Sequence, residues 1–237
     1  MSFDINDTYK LWDLELPIIP ERSTLFHLKP IGIGTADVES LTSYVKRLAI
    51  AHHVSSRMLI LSEIAPLLDI GYVLGRYNHS LEKIYGQRTH ALNGTGKMAE
   101  SLVKALERKT LCSGLNFLTM LTWHDVISQK HLIRRYQAWC PFCYQEWYDN
   151  NQIIYEPLSW SFNAINICLK HSHCLIDRCP HCLKQFPPLG GQARPGFCHK
   201  CGEWLGDIPK NPVLINLTLS SAEFEWQTFV TTHGSTF

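Results

Sequence analysis

The sequence predicts a mainly α fold with a small β component, in which an N-terminal helical domain is followed by tandem cysteine-rich modules. Three observations carry that expectation. Apolar residues recur at helical spacing at Leu41, Tyr44, Val45, Leu48 and Ala49, and again at Met98, Leu102, Val103 and Leu106; each set lines one face of a helix. Eight metal-ligand side chains stand in four pairs of identical X-x-x-X spacing within residues 140–201. The stretches 155–162 and 164–168 between those pairs are short and suit small β segments.

In chain order, residues 1–34 carry Pro17, Pro20, Pro30, Gly32 and Gly34 between short apolar runs, the make-up of an extended arm lying on the body of the protein. A helical domain follows over 35–135. Thr35 or Asp37 offers an N-cap to a first helix that ends near His52 and His53. Ser55 or Ser56 caps a second, with Met58, Leu59, Leu61 and Ile64 partly buried, which stops near Pro66. The hairpin over 37–66 resembles a helix-turn-helix. Small Ala49 allows close helix packing, and His53 takes the turn position usually held by Gly, His being among the residues that tolerate positive φ. A plain helical hairpin in an all-α core is the alternative. The second helix opens Ser55-Ser56-Arg57, with one cation and no Asn or Gln nearby, a poor set for reading base edges. Residues 71–96 are rich in Gly, Asn, His and Tyr and read as loops and short helices. A clear helix ends around Lys109, and further amphipathic pieces fall at Leu115, Leu118 and Leu121 and over 123–133. The cysteine-rich region spans 136–208. In the tail, 209–237, an apolar stretch over 213–219 precedes Ser221, Phe224, Trp226 and Phe229, the start of a last helix.

The four pairs are Cys140-Pro-Phe-Cys143, Cys168-Leu-Lys-His171, Cys179-Pro-His-Cys182 and Cys198-His-Lys-Cys201. This spacing lets two side chains from one tight turn reach the same ion. Paired in order they make one site of three cysteines and a histidine and one of four cysteines; the interleaved pairing, first with third, is the alternative. The second site has 15 residues between its pairs, within the window of a zinc ribbon, and the first has 24. Two structural zinc ions in tandem zinc-ribbon or zinc-finger modules fit soft thiolate and imidazole donors. A site with all four positions filled by protein holds a fold together and does not catalyse. His173 rivals His171 as fourth ligand, but His171 repeats the two-residue spacer. His181 and His199, inside the Cys-x-x-Cys turns, are expected to be solvated. Cys112 and Cys174 are left over as small buried residues.

Composition narrows the function classes. The apolar fraction of 45% can bury a real core, and no run of 18 apolar residues is present, so no membrane partner or span is expected. Nine cysteines without an export signal read as metal ligands in a cytoplasmic protein. The formal net charge is +1. Two zinc ions bring four positive charges and seven thiolates remove seven, so the loaded chain stands near −2. That is not the balance of a protein that holds nucleic acid through a broad basic field. No His-Glu-x-x-His, His-x-Glu or GxxxxGK[ST] motif occurs, so no catalytic residue is assigned.

Several motifs in order then resemble one family. The stretch Leu92-Asn93-Gly94-Thr95-Gly96, Leu118-Thr119, Ala138-Trp139-Cys140-Pro141-x-Cys143-Tyr144, Leu158-x-Trp160, Cys168-x-x-His171-x-x-x-Leu175 and Cys179-Pro180-x-Cys182 are similar to the TniQ family, as is the opening helix from Glu39 to Ala49. The resemblance spans about residues 35–205, with His53 departing from a frequent Gly. It implies a transposition targeting protein with an N-terminal helix-turn-helix and C-terminal zinc fingers, which does not cut or join DNA. Such a protein links a target selector to the AAA+ regulator TnsC and so to the transposase. Length and charge favour the version whose selector is a CRISPR effector with its guide RNA. A sequence-specific DNA-binding protein that selects a fixed attachment site is the alternative. The expected partners are thus a TnsC-like AAA+ regulator, a CRISPR effector with guide RNA, target DNA within the assembly, and a second copy of the chain, since some family members act as dimers. Nucleic-acid or partner contacts are expected from Ser55, Ser56 and Arg57 on the second helix, Arg134 and Arg135 before the first pair, and Lys170, Arg178, Lys184, Arg194 and Lys200 around the zinc region.

Overall fold

Helix α1 (Leu41–Ala51) lies at the centre of the molecule, and residues 41–49 are all buried. A computed structural model describes residues 22–68, 88–128 and 130–206. The helix starts later than expected. Its N-cap is Ser40, whose hydroxyl accepts from the Ser43 amide, rather than Thr35 or Asp37. Burial on both faces exceeds what an amphipathic pattern predicts, because its cations have partners inside the fold. Lys46 donates to both Glu156 oxygens at 2.6 and 2.7 Å. Arg47 meets Glu39 at 2.5 Å, and Ser43 donates to the other Glu39 oxygen.

His52 caps α1, and His53 takes the left-handed conformation, φ +53°, that the turn demands. The amide of Val54 bonds back to Ala49. Ser55 then caps α2 (Ser56–Leu59) by accepting from the Met58 amide. The helical path continues through a wide π turn (Ile60–Ile64) and a 3-10 turn (Ala65–Leu67) carrying Pro66. Leu59, Ile60 and Ile64 enter the core; Met58, expected to be partly buried, is 56% exposed.

Helix α3 (Lys97–Thr110) buries Ala99, Leu102, Val103, Ala105 and Leu106. Glu100 sits in its first turn and Arg108 and Lys109 in its last, in the sense that favours the helix dipole. The arm reaches its C-terminal end, where the Thr24 and Leu25 amides both donate to the Lys109 carbonyl. The expected arm over 1–21 and the tail from 207 lie outside the described residues, as do residues 71–87 of the expected loops over 71–96.

Residues 115–133 are not the amphipathic helices their pattern suggests. Two 3-10 turns (Leu115–Leu118 and Leu121–Trp123) bury Leu115 and Leu118, and Ile133 makes a bridge to Phe162. The segment expected to be β over 155–162 contains a 3-10 turn (Leu158–Ser161) instead. A helix the spacing did not announce, α4 (Pro141–Asp149), begins at the first metal-ligand pair. The one sheet among the described residues is an antiparallel pair, β1 (Ile167–Cys168) with β2 (His173–Cys174), in register Ile167 to Cys174. The protein is mainly helical with little strand.

Asn93, in the Leu-Asn-Gly-Thr-Gly stretch, ties these parts together. Its fully buried amide accepts from the Thr42 amide at the start of α1 and donates to the Thr42 and Ser161 hydroxyls, while its carbonyl accepts from Met120. Two apolar clusters result. One gathers α1 to α3 with Leu25, Leu115 and Leu118, and also takes in Leu189 and Ala193 from the cysteine-rich region. The other is aromatic, built on Trp139, Tyr144, Trp147, Trp160 and Phe186 around the cysteines. Among the described residues no helix is long and apolar enough to cross a membrane.

Candidate metal centres

Both candidate centres grow from short turns that the aromatic cluster clamps in place. In the first, Cys140 caps α4, Pro141 occupies its first turn, where a missing N–H costs nothing, and Cys143 follows within the same turn. Thiolates at a helix N-terminus are favoured by its unpaired N–H groups. Cys168 ends β1 and His171 sits in the turn that leads to β2. The antiparallel pair thus carries the second ligand pair up against α4.

The structure brings the pairs together in order, not interleaved. Cys140, Cys143, Cys168 and His171 form one cluster and Cys179, Cys182, Cys198 and Cys201 the other, each with ligand atoms within 4.8 Å of one another. His171 Nδ1 lies 3.6, 3.3 and 3.7 Å from the sulfurs of Cys140, Cys143 and Cys168. Cys143 and Cys168 sulfurs are 3.5 Å apart. In the second cluster Cys179 to Cys201 is 3.6 Å and Cys182 to Cys198 is 3.8 Å. Tetrahedral zinc, with Zn–S of about 2.3 Å and Zn–N of about 2.0 Å, sets ligand atoms roughly 3.5–3.8 Å apart. Donor set and spacing therefore fit zinc, and the separations are far beyond a disulfide bond.

Electrostatics point the same way. With no cation, hydrogen bonding to Cys140 and Cys168, together with burial, drives the Cys143 thiol far up. Hydrogen bonds from Cys140 and Cys143 pull Cys168 down to about 2. Thiolates this close repel one another, and a cation between them would relieve that repulsion. Glu146, one helical turn beyond Cys143, adds an outer contact. Its Oε2 lies 3.4 Å from His171 Nε2 and 2.6 Å from Lys170 Nζ, leaving Nδ1 for the cluster. The Lys170 hydrogen bond holds the Glu146 carboxyl below its usual range. His173 does not compete: its Nδ1 donates to the Cys174 carbonyl and its ring packs edge-on against Phe142.

Aromatic rings enclose both centres. Trp139 stacks on Phe186 at 5.5 Å, Tyr144 meets Trp160 edge-on at 5.5 Å, and Phe142 lies 5.7 Å from the His171 ring. His199, expected to be solvated, is instead packed on Phe186 at 4.6 Å, and burial pushes its imidazole well below its ordinary value. A Cβ on Gly190 would come within 2.9 Å of His199 Nδ1, so glycine there permits the approach. His181 is exposed, as expected. Cys112 and Cys174 are buried, the Cys112 thiol donating to the Leu28 carbonyl.

The expected contact residues separate into two kinds. Ser56 is buried and its hydroxyl donates to the Ala193 carbonyl, so it offers nothing to an outside ligand. Arg134 spends its guanidinium on the carbonyls of Phe162 and Ile165 and on Asn166; it braces the loop before β1. Ser55 is committed to capping α2. Arg57, Arg135, Lys170, Arg178, Lys184, Arg194 and Lys200 are exposed. Arg135 lies over Tyr136 and Arg194 over Phe197. A cleft of 630 Å³ runs between the hairpin turn (Ile50, His53, Val54) and the second cluster (Arg194, Phe197, Lys200).

Sequence reasoning missed Glu146, Asn93 and the buried pairs on α1. Pro141 followed by Tyr144 and Trp147 was the available signal for α4, and hence for Glu146 facing the cluster.

A family model described as TniQ matches residues 30–175. The match contains α1 to α4 and the first cluster; the second cluster lies beyond it. None of the curated proteins matches the chain.

Proposed function

The chain belongs to the TniQ family of transposition-associated targeting proteins, and from that premise we propose that it is a non-catalytic adaptor with two structural zinc ions. In this reading it links a target selector, an RNA-guided CRISPR effector, to a TnsC-like AAA+ regulator and thereby to the transposase. Each ion takes four protein ligands, so neither has a position for water or substrate.

One observation favours an adaptor over a stand-alone sequence reader. A helix-turn-helix reads bases with the first residues of its second helix. Here that end is covered by the second cysteine module: the Arg57 amide approaches the Gly191 carbonyl at 3.4 Å and Ser56 the Ala193 carbonyl at 3.4 Å. Around it Ile50, Val54 and Met58 are exposed, a surface suited to protein contact more than to a phosphate backbone. The exposed Arg135, Arg178, Lys184, Arg194 and Lys200 supply cations for RNA, DNA or acidic partner groups.

Fluorescence anisotropy of the zinc-loaded protein with labelled duplexes tests this. The adaptor reading expects weak binding that varies little with sequence and fades as salt is raised. Tight selection of one duplex by the protein alone would establish the fixed-site reader in its place.

A further inference from the structure

The two clusters are built to different strengths. In the first, the three cysteines are buried and only His171 reaches the surface. Its ligands come from a helix N-terminus and a paired strand, and a Glu146 carboxylate oxygen lies 3.4 Å from the imidazole Nε2. In the second, Cys182 is half-buried and Cys201 exposed, and the described residues of the module contain no helix. Cys179 and Cys198 share the aromatic cluster with the first centre, whereas toward the exposed Cys201 the support is local: the Lys200 amide donates to the Cys198 sulfur, and the Gly202 amide to the Cys198 carbonyl.

The second cluster also closes a loop over the hairpin. Leu189 is buried in the helical core, and the chain returns at Cys198. Between them 190–197 forms a strap that touches the start of α2 through two contacts of 3.4 Å, near the outer limit of a hydrogen bond. Ala193 is its one residue in the helical core cluster. The 630 Å³ cleft beneath leaves the rest of the strap without close packing on the hairpin. Leu189 fixes one end by apolar burial; at the other, the Gly196 carbonyl accepts from the Leu205 amide, Phe197 bridges Trp204, and Cys198 and Cys201 join the second cluster.

We propose that the second cluster is a releasable clasp. Its ion leaves first, through the Cys201 edge, and the strap then lifts from the hairpin turn and the start of α2 while the helical core and the first centre stand. Metal occupancy thereby controls access to the hairpin face. This rests on the two-ion reading above.

The test is zinc release from the fully loaded protein into a chelator, followed as ions per chain against time, with hydrogen exchange on the one-ion species. The first ion should leave at least about tenfold faster than the second, an outer-shell brace being worth roughly 10–100-fold in affinity. In the one-ion protein the amides of Arg57, Ala193, Phe197, Gly202 and Leu205 should lose at least about tenfold protection, while those of α3 and the Trp139–Ile176 bridge stay unchanged. Cys201→Ser should hold one ion and show the same exchange pattern from the start. Release of both ions in one phase, or loss of α3 protection with the first ion, overturns the clasp and leaves the two-ion reading intact. A fully loaded protein that holds fewer than two ions overturns both.

Discussion

Replacing Lys46 by Met removes one half of the buried link between α1 and the loop that leads to the first metal centre. Lys46 and Glu156 side chains are 0% and 4% exposed. Burial pushes Lys46 down and Glu156 up, each opposed by the other's charge. Without the ammonium, the cheapest response is for Glu156 to take a proton. From an ordinary value of 4.5, that costs about 1.36 kcal/mol for each pH unit above it. The substitution should therefore cost roughly 4 kcal/mol at pH 7.5 and roughly 2 at pH 6, within the span seen when one partner of a buried pair is removed. The assay is urea unfolding of zinc-loaded protein at both pH values, followed by tryptophan fluorescence. K46M with E156M together should recover most of the loss, because no buried charge is then left alone. A cost under about 1 kcal/mol at pH 7.5, or one that does not change with pH, would show that Glu156 is not left as an unpaired buried charge.

Three further outcomes follow from the same geometry. Glu146→Gln should weaken zinc binding at the first centre by roughly 10–100-fold in a chelator competition, by loosening His171. Burial lifts Glu39 to about 7 against the pull of Arg47, so the folded chain holds a proton there that the unfolded chain loses near 4.5. The stability this group contributes is full below that value and is lost as pH rises through 7, roughly 1.4 kcal/mol of it between pH 6 and 8; Glu39→Gln should flatten the profile by that amount in parallel urea series. Asn93→Ala should cost on the order of 1–3 kcal/mol in thermal or urea unfolding, since it strands the Thr42 amide in the core.

Local chemistry was legible in the sequence. The grouping of eight Cys and His side chains into two clusters, the capping Ser55, the positive φ at His53 and the extent of α3 all follow from spacing or backbone preference over a few residues. What could not be read depends on distant parts of the chain. Lys46 looks like a surface residue until Glu156, 110 positions away, is placed against it. Residues 115–133 carry helical spacing, yet Leu115 and Leu118 enter the helical core from a 3-10 turn led by Gly114, and Ile133 bridges Phe162. Ser56 and Arg134 read as contact residues because polarity says nothing about which carbonyl lies nearby. Glu146 was hidden for a related reason: its role exists only once α4 and the β1–β2 turn meet.

In the proposed role this chain joins a selector to a regulator without selecting DNA itself. Size-exclusion chromatography of the zinc-loaded protein with the AAA+ regulator of its own element, an ATP analogue and duplex DNA tests it directly. In that role the protein elutes within the regulator–DNA assembly and barely shifts DNA alone. Absence from that assembly, together with tight binding of one particular duplex, would contradict it.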